Sequence, residues 1–395
     1  MNPISSQINL KVVNNTALPQ PVSILQIVPN SDSANNSNFL YEFNFTGQSY
    51  VGVTSVNAYI SNTSNPSIIA YNAPVLSQSI IGVVDALNSL NQGLFSYSGT
   101  TIYVSSNFYI YSNLSISGSS IFGTTGINPQ NIVIDSAGNI YTANTSSSDV
   151  SKITPSGVST ILGATGTSPI GITIDGAGNI YTANNVSNNV SKITPLGVST
   201  ILGTTGNNPI GITIDGAGNI YTANNTSNNV SKITPLGVST ILGTTGNNPI
   251  GITIDSAGNI YTANNASVDV SKITPLGVST ILGTTGTNPN GITIDSAGNI
   301  YTANNGSDDV SKITPLGVST ILGSTGNSPL GITIDSAGNI YTANNSSFNV
   351  SKITPLGAST ILGSTDSFPT GITIDNFNNI YTSNFGADNV TVIVQ

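Results

Sequence analysis

From Ile161 to Thr200 the chain reads as four short runs in which apolar and polar residues alternate, each closed by a turn. In Gly171–Asp175 the residues Ile172 and Ile174 alternate with Thr173 and Asp175, the two-residue period of a strand. Gly176-Ala177-Gly178-Asn179 follows as a tight turn, with Gly178 free to take a positive φ. Ile180–Asn184 predicts a second strand, an Asn/Ser-rich loop runs to Asn189, and Val190–Thr194 predicts a third strand. Pro195-Leu196-Gly197 is a turn with Pro at its favoured position, and Val198–Leu202 predicts a fourth strand. The same pattern begins at Ile121, Ile161, Ile201, Ile241, Ile281, Ile321 and Ile361, a 40-residue period without insertion or deletion. Four antiparallel strands per unit describe one blade of a β-propeller.

The two ends of the array predict a closed ring rather than an open solenoid. Ser117–Gly123 (SGSSIFG) aligns with Gly157–Gly163 (GVSTILG), so a lone fourth strand precedes the first full unit. The last unit supplies Gly371–Asp375, Asn379–Asn384 and Asn389–Val394, then stops without a fourth strand. Pairing the strand 117–123 with the last blade removes two exposed sheet edges. The expected fold is therefore all-β, a seven-bladed β-propeller over residues 117–395. On this alignment Ile121 and Phe122 should be buried like Ile161 and Leu162.

Residues 1–116 do not follow the repeat. Ile8, Leu10 and Val12 alternate, as do Tyr41, Phe43 and Phe45, and Val51 and Val53. Leu94–Ile116 reads as two further strands. Ser77–Asn91 carries Ile80, Val83, Val84, Leu87 and Leu90 at helical spacing, with Ser79 as N-cap and Gly93 beyond its end. A β-rich N-terminal domain with one short helix, serving for anchoring or assembly, is the expectation. Its placement before a repeat array loosely resembles phage and viral appendage proteins.

The repeat itself resembles bacterial NHL repeats. The resemblance rests on Pro169, on the GITID-x-AGNIYTAN run and on the VSKITP-x-GVSTILG run, and extends over all seven units. It implies a propeller blade and little chemistry. Where such blades often carry Asp and Arg, this chain has Asn184 and Asn189. Virginiamycin B lyase is similar in look, a seven-bladed propeller, but that resemblance implies a catalytic His, and this chain has none. Gluconolactonase-type propellers imply a metal held by acidic and amide side chains in the central funnel. The single Glu here, Glu42, lies outside the propeller.

Composition narrows the function classes. Charged residues are 6% of the chain and the net charge is −9. All seven cations are Lys and they do not cluster, so a nucleic-acid partner is not expected. No apolar stretch is long enough for a membrane span, and the chain opens without a basic or apolar leader segment. Without His or Cys there is no base poised near neutral pH, no thiol nucleophile and no zinc ligand set.

The Asp residues that close each first strand, such as Asp175, suit a turn-capping role better than a sevenfold ring of cation ligands. The repeated Lys could pair with that Asp. In a propeller, the loops from second to third strand and from fourth to first strand share one face. Of 16 acidic residues, seven are these turn Asp and three lie before the propeller. The remaining six, Asp149, Asp269, Asp308, Asp309, Asp366 and Asp388, all fall in the loops of that one face. Phe348 and Phe368 vary there too. This face is either drifting neutrally or binding a partner, and those eight residues are its candidate site.

No cofactor is expected, beyond weak cation binding at the acidic face. The expected function is a non-catalytic structural or binding protein of an extracellular appendage or virion surface, with a protein or glycan partner, or copies of itself in an oligomer or filament. A glycan- or protein-binding adhesin and a metal-dependent lyase or lactonase are the alternatives.

Overall fold

The computed structural model describes residues 118–395 and seven strands of the N-terminal region. Those strands form two antiparallel sheets. In the first, the order is Val28–Pro29, Leu40–Asn44, Thr101–Ser105, Phe95–Ser98, with Leu40 opposite Ser105 and Asn44 opposite Thr101. In the second, Val56–Asn62 lies between Asn65–Ala73 and Phe108–Tyr111. The helix expected at Ser77–Asn91, and the alternating runs around Leu10 and Val51, lie outside the described residues. Leu94–Ile116 yields three strands where two were expected, because Ser98–Thr101 closes one hairpin and a further strand follows at Phe108–Tyr111.

From residue 118 the chain is a seven-bladed propeller, and no helix occurs among the described residues. Blade 2 is representative. Its strands are Pro169–Ile174, Ile180–Asn184, Asn189–Ile193 and Ser199–Thr204, paired in sequence order. Gly178 takes φ 81° in the first turn and Gly197 φ 83° in the third, as their places predict. Blades 1 to 6 each use consecutive strands, and blade 7 is ordered Pro369–Ile374, Ile380–Asn384, Asn389–Val394, Gly118–Thr124.

The core lies between blades. Every residue of each second strand is buried, and Ile180 packs with Tyr141, Ala143 and Val150 of the preceding blade. Burial falls outward: Ser199–Thr204 is exposed at most positions. This corrects the expectation for Ile121, which is 44% exposed, while Phe122 beside it is 1% exposed. The counterpart Ile161 is also exposed. Blades radiate, so the gap between neighbours widens with distance from the axis, and alternate residues of the outermost strand escape contact.

Candidate functional site

Two regions of the propeller could meet a partner: the loop face and the axial channel. The loop face is a closed belt. The first residue of each second-to-third loop donates its N–H to the preceding interblade connection, as from Asn185 to Ser168 O at 2.9 Å. The connection that follows donates back, as from Thr205 to Asn188 O at 3.0 Å. The alternation continues around the ring, and Thr125 N–H to Asp388 O at 2.9 Å joins blade 7 to the start of the array. The carbonyls used belong to residues held at positive φ, more than half of them Asn or Asp, the non-glycine types that tolerate that region best.

The eight sequence-predicted residues all lie along this belt. Asp149, Asp269 and Asp309 open third strands, and each accepts a hydrogen bond at 2.6 Å from the buried amide of Asn144, Asn264 or Asn304. Other blades place Asn at this position, so a carboxylate and a carboxamide oxygen serve alike. Asp308 accepts from Ser328 N–H, and Asp388 from Asn128 N–H, both at 2.7 Å. Asp366 accepts from its neighbour Ser367 N–H at 2.7 Å and from Asn389 Nδ2 at 2.8 Å. Phe348 and Phe368 meet edge to face, ring centres 5.1 Å apart, and both stay partly exposed. The structure brings these two rings together and leaves Asp149, Asp269 and Asp309 one to a blade. The carboxylates are thus acceptors for the belt, and among the described residues no three His, Cys, Asp or Glu side chains converge as a metal site.

On the opposite face the repeated Asp is a turn clasp. Asp175 Oδ1 accepts from Ala177 N–H at 3.0 Å and Asn179 N–H at 2.8 Å, while Oδ2 accepts from Asn179 Nδ2 at 2.8 Å and Tyr181 Oη at 3.0 Å. Partial burial opposes ionisation, but these bonds outweigh it and hold the carboxyl below its usual range. Burial, and then the bond to Asp175, push the Tyr181 phenol well above its own. Lys192 Nζ lies 5.7 Å from the Tyr181 ring centre, a cation–π contact that repeats through blades 1 to 6.

The axial channel encloses about 350 Å³ and is lined by the first strands. Its walls are mainly Ile, but Gln130, Asn131, Asn290 and Thr370 also face it. None of these four was singled out from the sequence. The signal was present: the residue before the strand Gly is Ile in blades 2 to 4, then Asn290, Leu330 and Thr370, and blade 1 has Gln130-Asn131 in place of that residue and the Gly, while the ITID that follows scarcely changes.

Residues 118–344 match the virginiamycin B lyase family model, more than half of the chain. The chain belongs to that family. Among solved structures, virginiamycin B lyase from Staphylococcus aureus is similar with a TM-score of 0.61 at 19% identity, over 68% of this chain and 95% of that one. A streptogramin B lyase is similar with a TM-score of 0.62 at 17% identity, over 69% and 96%. A catalytically inactive His-to-Ala variant of the staphylococcal lyase, with quinupristin, gives 0.60 at 19%, over 69% and 96%. At these identities the likeness is one of fold. No curated protein matches the sequence. The NHL likeness remains a resemblance of the repeat.

Proposed function

We propose that this member of the virginiamycin B lyase family is a non-catalytic binding protein that uses the propeller as a rigid display scaffold. One observation carries the reading: the chain contains no histidine. The staphylococcal enzyme whose fold it shares is catalytically inactive once a single His is replaced by Ala. Elimination chemistry needs a positioned base, and the carboxylates of the loop face are already acceptors in the belt. In this reading the loop face meets a protein or glycan, and the N-terminal region anchors or assembles the chain on an extracellular appendage or virion. The sparse charge and the Asn-, Ser- and Thr-rich surface suit such a setting.

Family membership favours the lyase as the second reading, so the test sets the two against each other. The full chain is incubated with quinupristin, and conversion is followed by liquid chromatography with tandem mass spectrometry, since an intramolecular elimination leaves the mass unchanged, in parallel with glycan- and protein-array binding. The expected result is no turnover above buffer, with array binding that falls when Phe348 and Phe368 are both changed to Asn. Sustained turnover would establish an enzyme instead.

A further inference from the structure

We propose that the axial channel is a second binding site, for a small uncharged molecule with hydroxyl or amide groups at both ends of an aliphatic body. The site is separate from the loop face and does not depend on how that face is read.

The repeat isolates the observation. At the channel-lining position before the strand Gly, blades 2, 3 and 4 carry Ile170, Ile210 and Ile250. Blade 1 carries Gln130 there, followed by Asn131 where the other blades have Gly, and blade 5 carries Asn290. The flanking residues are held almost constant, so polarity has entered the repeat at the positions that face the axis. Thr370 has a structural reason to be polar, because its hydroxyl donates to Gln130 O across the interblade contact. The side-chain amides of Gln130, Asn131 and Asn290 have none: they make no hydrogen bond with any described residue. All three residues are half-buried, so each carboxamide keeps two donors and an acceptor open to water or to a ligand that enters the Ile-lined channel.

The lining chemistry selects the ligand. No Asp, Glu or Lys lines the channel, so an ion entering it would lose hydration with no countercharge. Carboxamides both give and receive, which matches hydroxyl and amide groups. Blades 1 and 5 stand on opposite sides of a seven-membered ring, so the polar positions face one another across apolar walls. The volume of about 350 Å³ falls at the lower end of the range for ligand pockets.

The repeat also supplies the cleanest variant. Changing Gln130→Ile, Asn131→Gly and Asn290→Ile gives the channel the residues of blades 2 to 4, so the chain should fold. The single change Asn290→Leu, which copies Leu330, is the fallback. Full-length protein is titrated with 1,6-hexanediol and adipamide as probes, with adipate and hexane-1,6-diammonium as charged counterparts, by ligand-observed NMR. At least one neutral probe should bind in the millimolar range. Affinity should fall about tenfold or more in the triple variant and measurably in Asn290→Leu, and the charged probes should not bind. The proposal is overturned if neither neutral probe binds, if the folded variants bind as well as the parent, or if adipate or the diammonium binds as tightly.

Discussion

Blade 2 and blade 7 are built to one plan and finished differently. In blade 2, Lys192 reaches over Tyr181 from the third strand, Ala183 packs in the interface with the next blade, and Ile170 faces the channel. In blade 7 the Lys position is Val392, fully buried, and Phe122 packs edge-on against Tyr381 with ring centres 5.0 Å apart. The Ala position is Ser383, which donates to Gln130 O at 2.8 Å, and the Ile position is Thr370, which donates to the same carbonyl. Asp366, where interior blades have Gly, receives Asn389. The third strand is buried along nearly its whole length, where its counterpart in blade 2 leaves two of five residues partly exposed. An interior blade is tied to its neighbours through the polypeptide on both sides. Blade 7 combines strands from two distant stretches of chain, and it carries extra apolar burial and extra cross-blade bonds.

The largest effect expected is one that the interior blades share. The six turn carboxyls from Asp135 to Asp335 are held below their usual range; partial burial opposes this, but bonds from Asn, Tyr and backbone N–H groups prevail. A folded pKa below the unfolded one means that each clasp contributes fully above the unfolded value and is lost as pH falls through the folded value. The melting temperature should therefore be flat above about pH 5 and fall as the pH drops below about 4. Thermal melts across this range check it, and Asp175→Asn with Asp255→Asn should make the acid limb shallower. A curve that stayed flat to pH 2 would remove the clasp from the account of interior stability.

Next comes the blade 7 core. Phe122→Ala should destabilise by about 3–5 kcal/mol, the usual cost of emptying a buried aromatic site. Its interior counterpart Leu202 is only partly buried, so Leu202→Ala should cost less than about 2 kcal/mol. Urea unfolding of the two variants measures the gap. Limited proteolysis should show the Phe122→Ala chain cut first near Gln395. Equal losses would mean that blade 7 is not packed differently from the rest.

Glycine tolerance sharpens the comparison at the next scale down. A Cβ on Gly203 would sit 2.6 Å from Ser239 Oγ and 2.7 Å from Ile233 Cγ2, inside contact distance on two sides. On Gly363, beside blade 7, the nearest atoms belong to Ile393 and begin at 3.2 Å. Gly203→Ala should therefore cost about 1–3 kcal/mol through overpacking, and Gly363→Ala less than about 1 kcal/mol. Chemical denaturation of both tests this, and a larger loss at Gly363 would reverse the reading.

The blades are legible in the repeat itself. Gly178 and Pro195 mark the turns, and a 40-residue period without gaps sets seven units in register. Local pattern cannot reach what depends on a residue's distance from the axis. Ile121 alternates like a core residue, yet it sits where the blades have splayed apart. The loop residues are visible as variation, but their work as acceptors is not, because the partners lie 20 residues away for Asp308 and 260 for Asp388. Gln130, Asn131 and Asn290 stand in plain view as departures from Ile and Gly. They gain meaning only because the first strands line one channel.

The smallest effect concerns the belt, where blade 7 and the interior agree except in two places. Asp388 in blade 7 and Asp308 in blade 5 accept the backbone N–H of the next connection at 2.7 Å, and Asn188 does the same for Asn208 at 2.7 Å. Val268 and Phe348 occupy the same belt position and have no oxygen to offer. Val268 is the harder case, since it holds φ 58° with a β-branched side chain, a conformation that such residues strongly resist. Asn tolerates that region and could accept from the N–H of Asn288. Val268→Asn should therefore stabilise the chain by about 1 kcal/mol, part from relieved strain and part from the new bond. The same change at Val190, which is fully buried in a third strand, should destabilise instead. Thermal melts of the two variants give opposite signs if the belt is organised as described, and a loss of stability at both sites would show that the side-chain clasp contributes nothing.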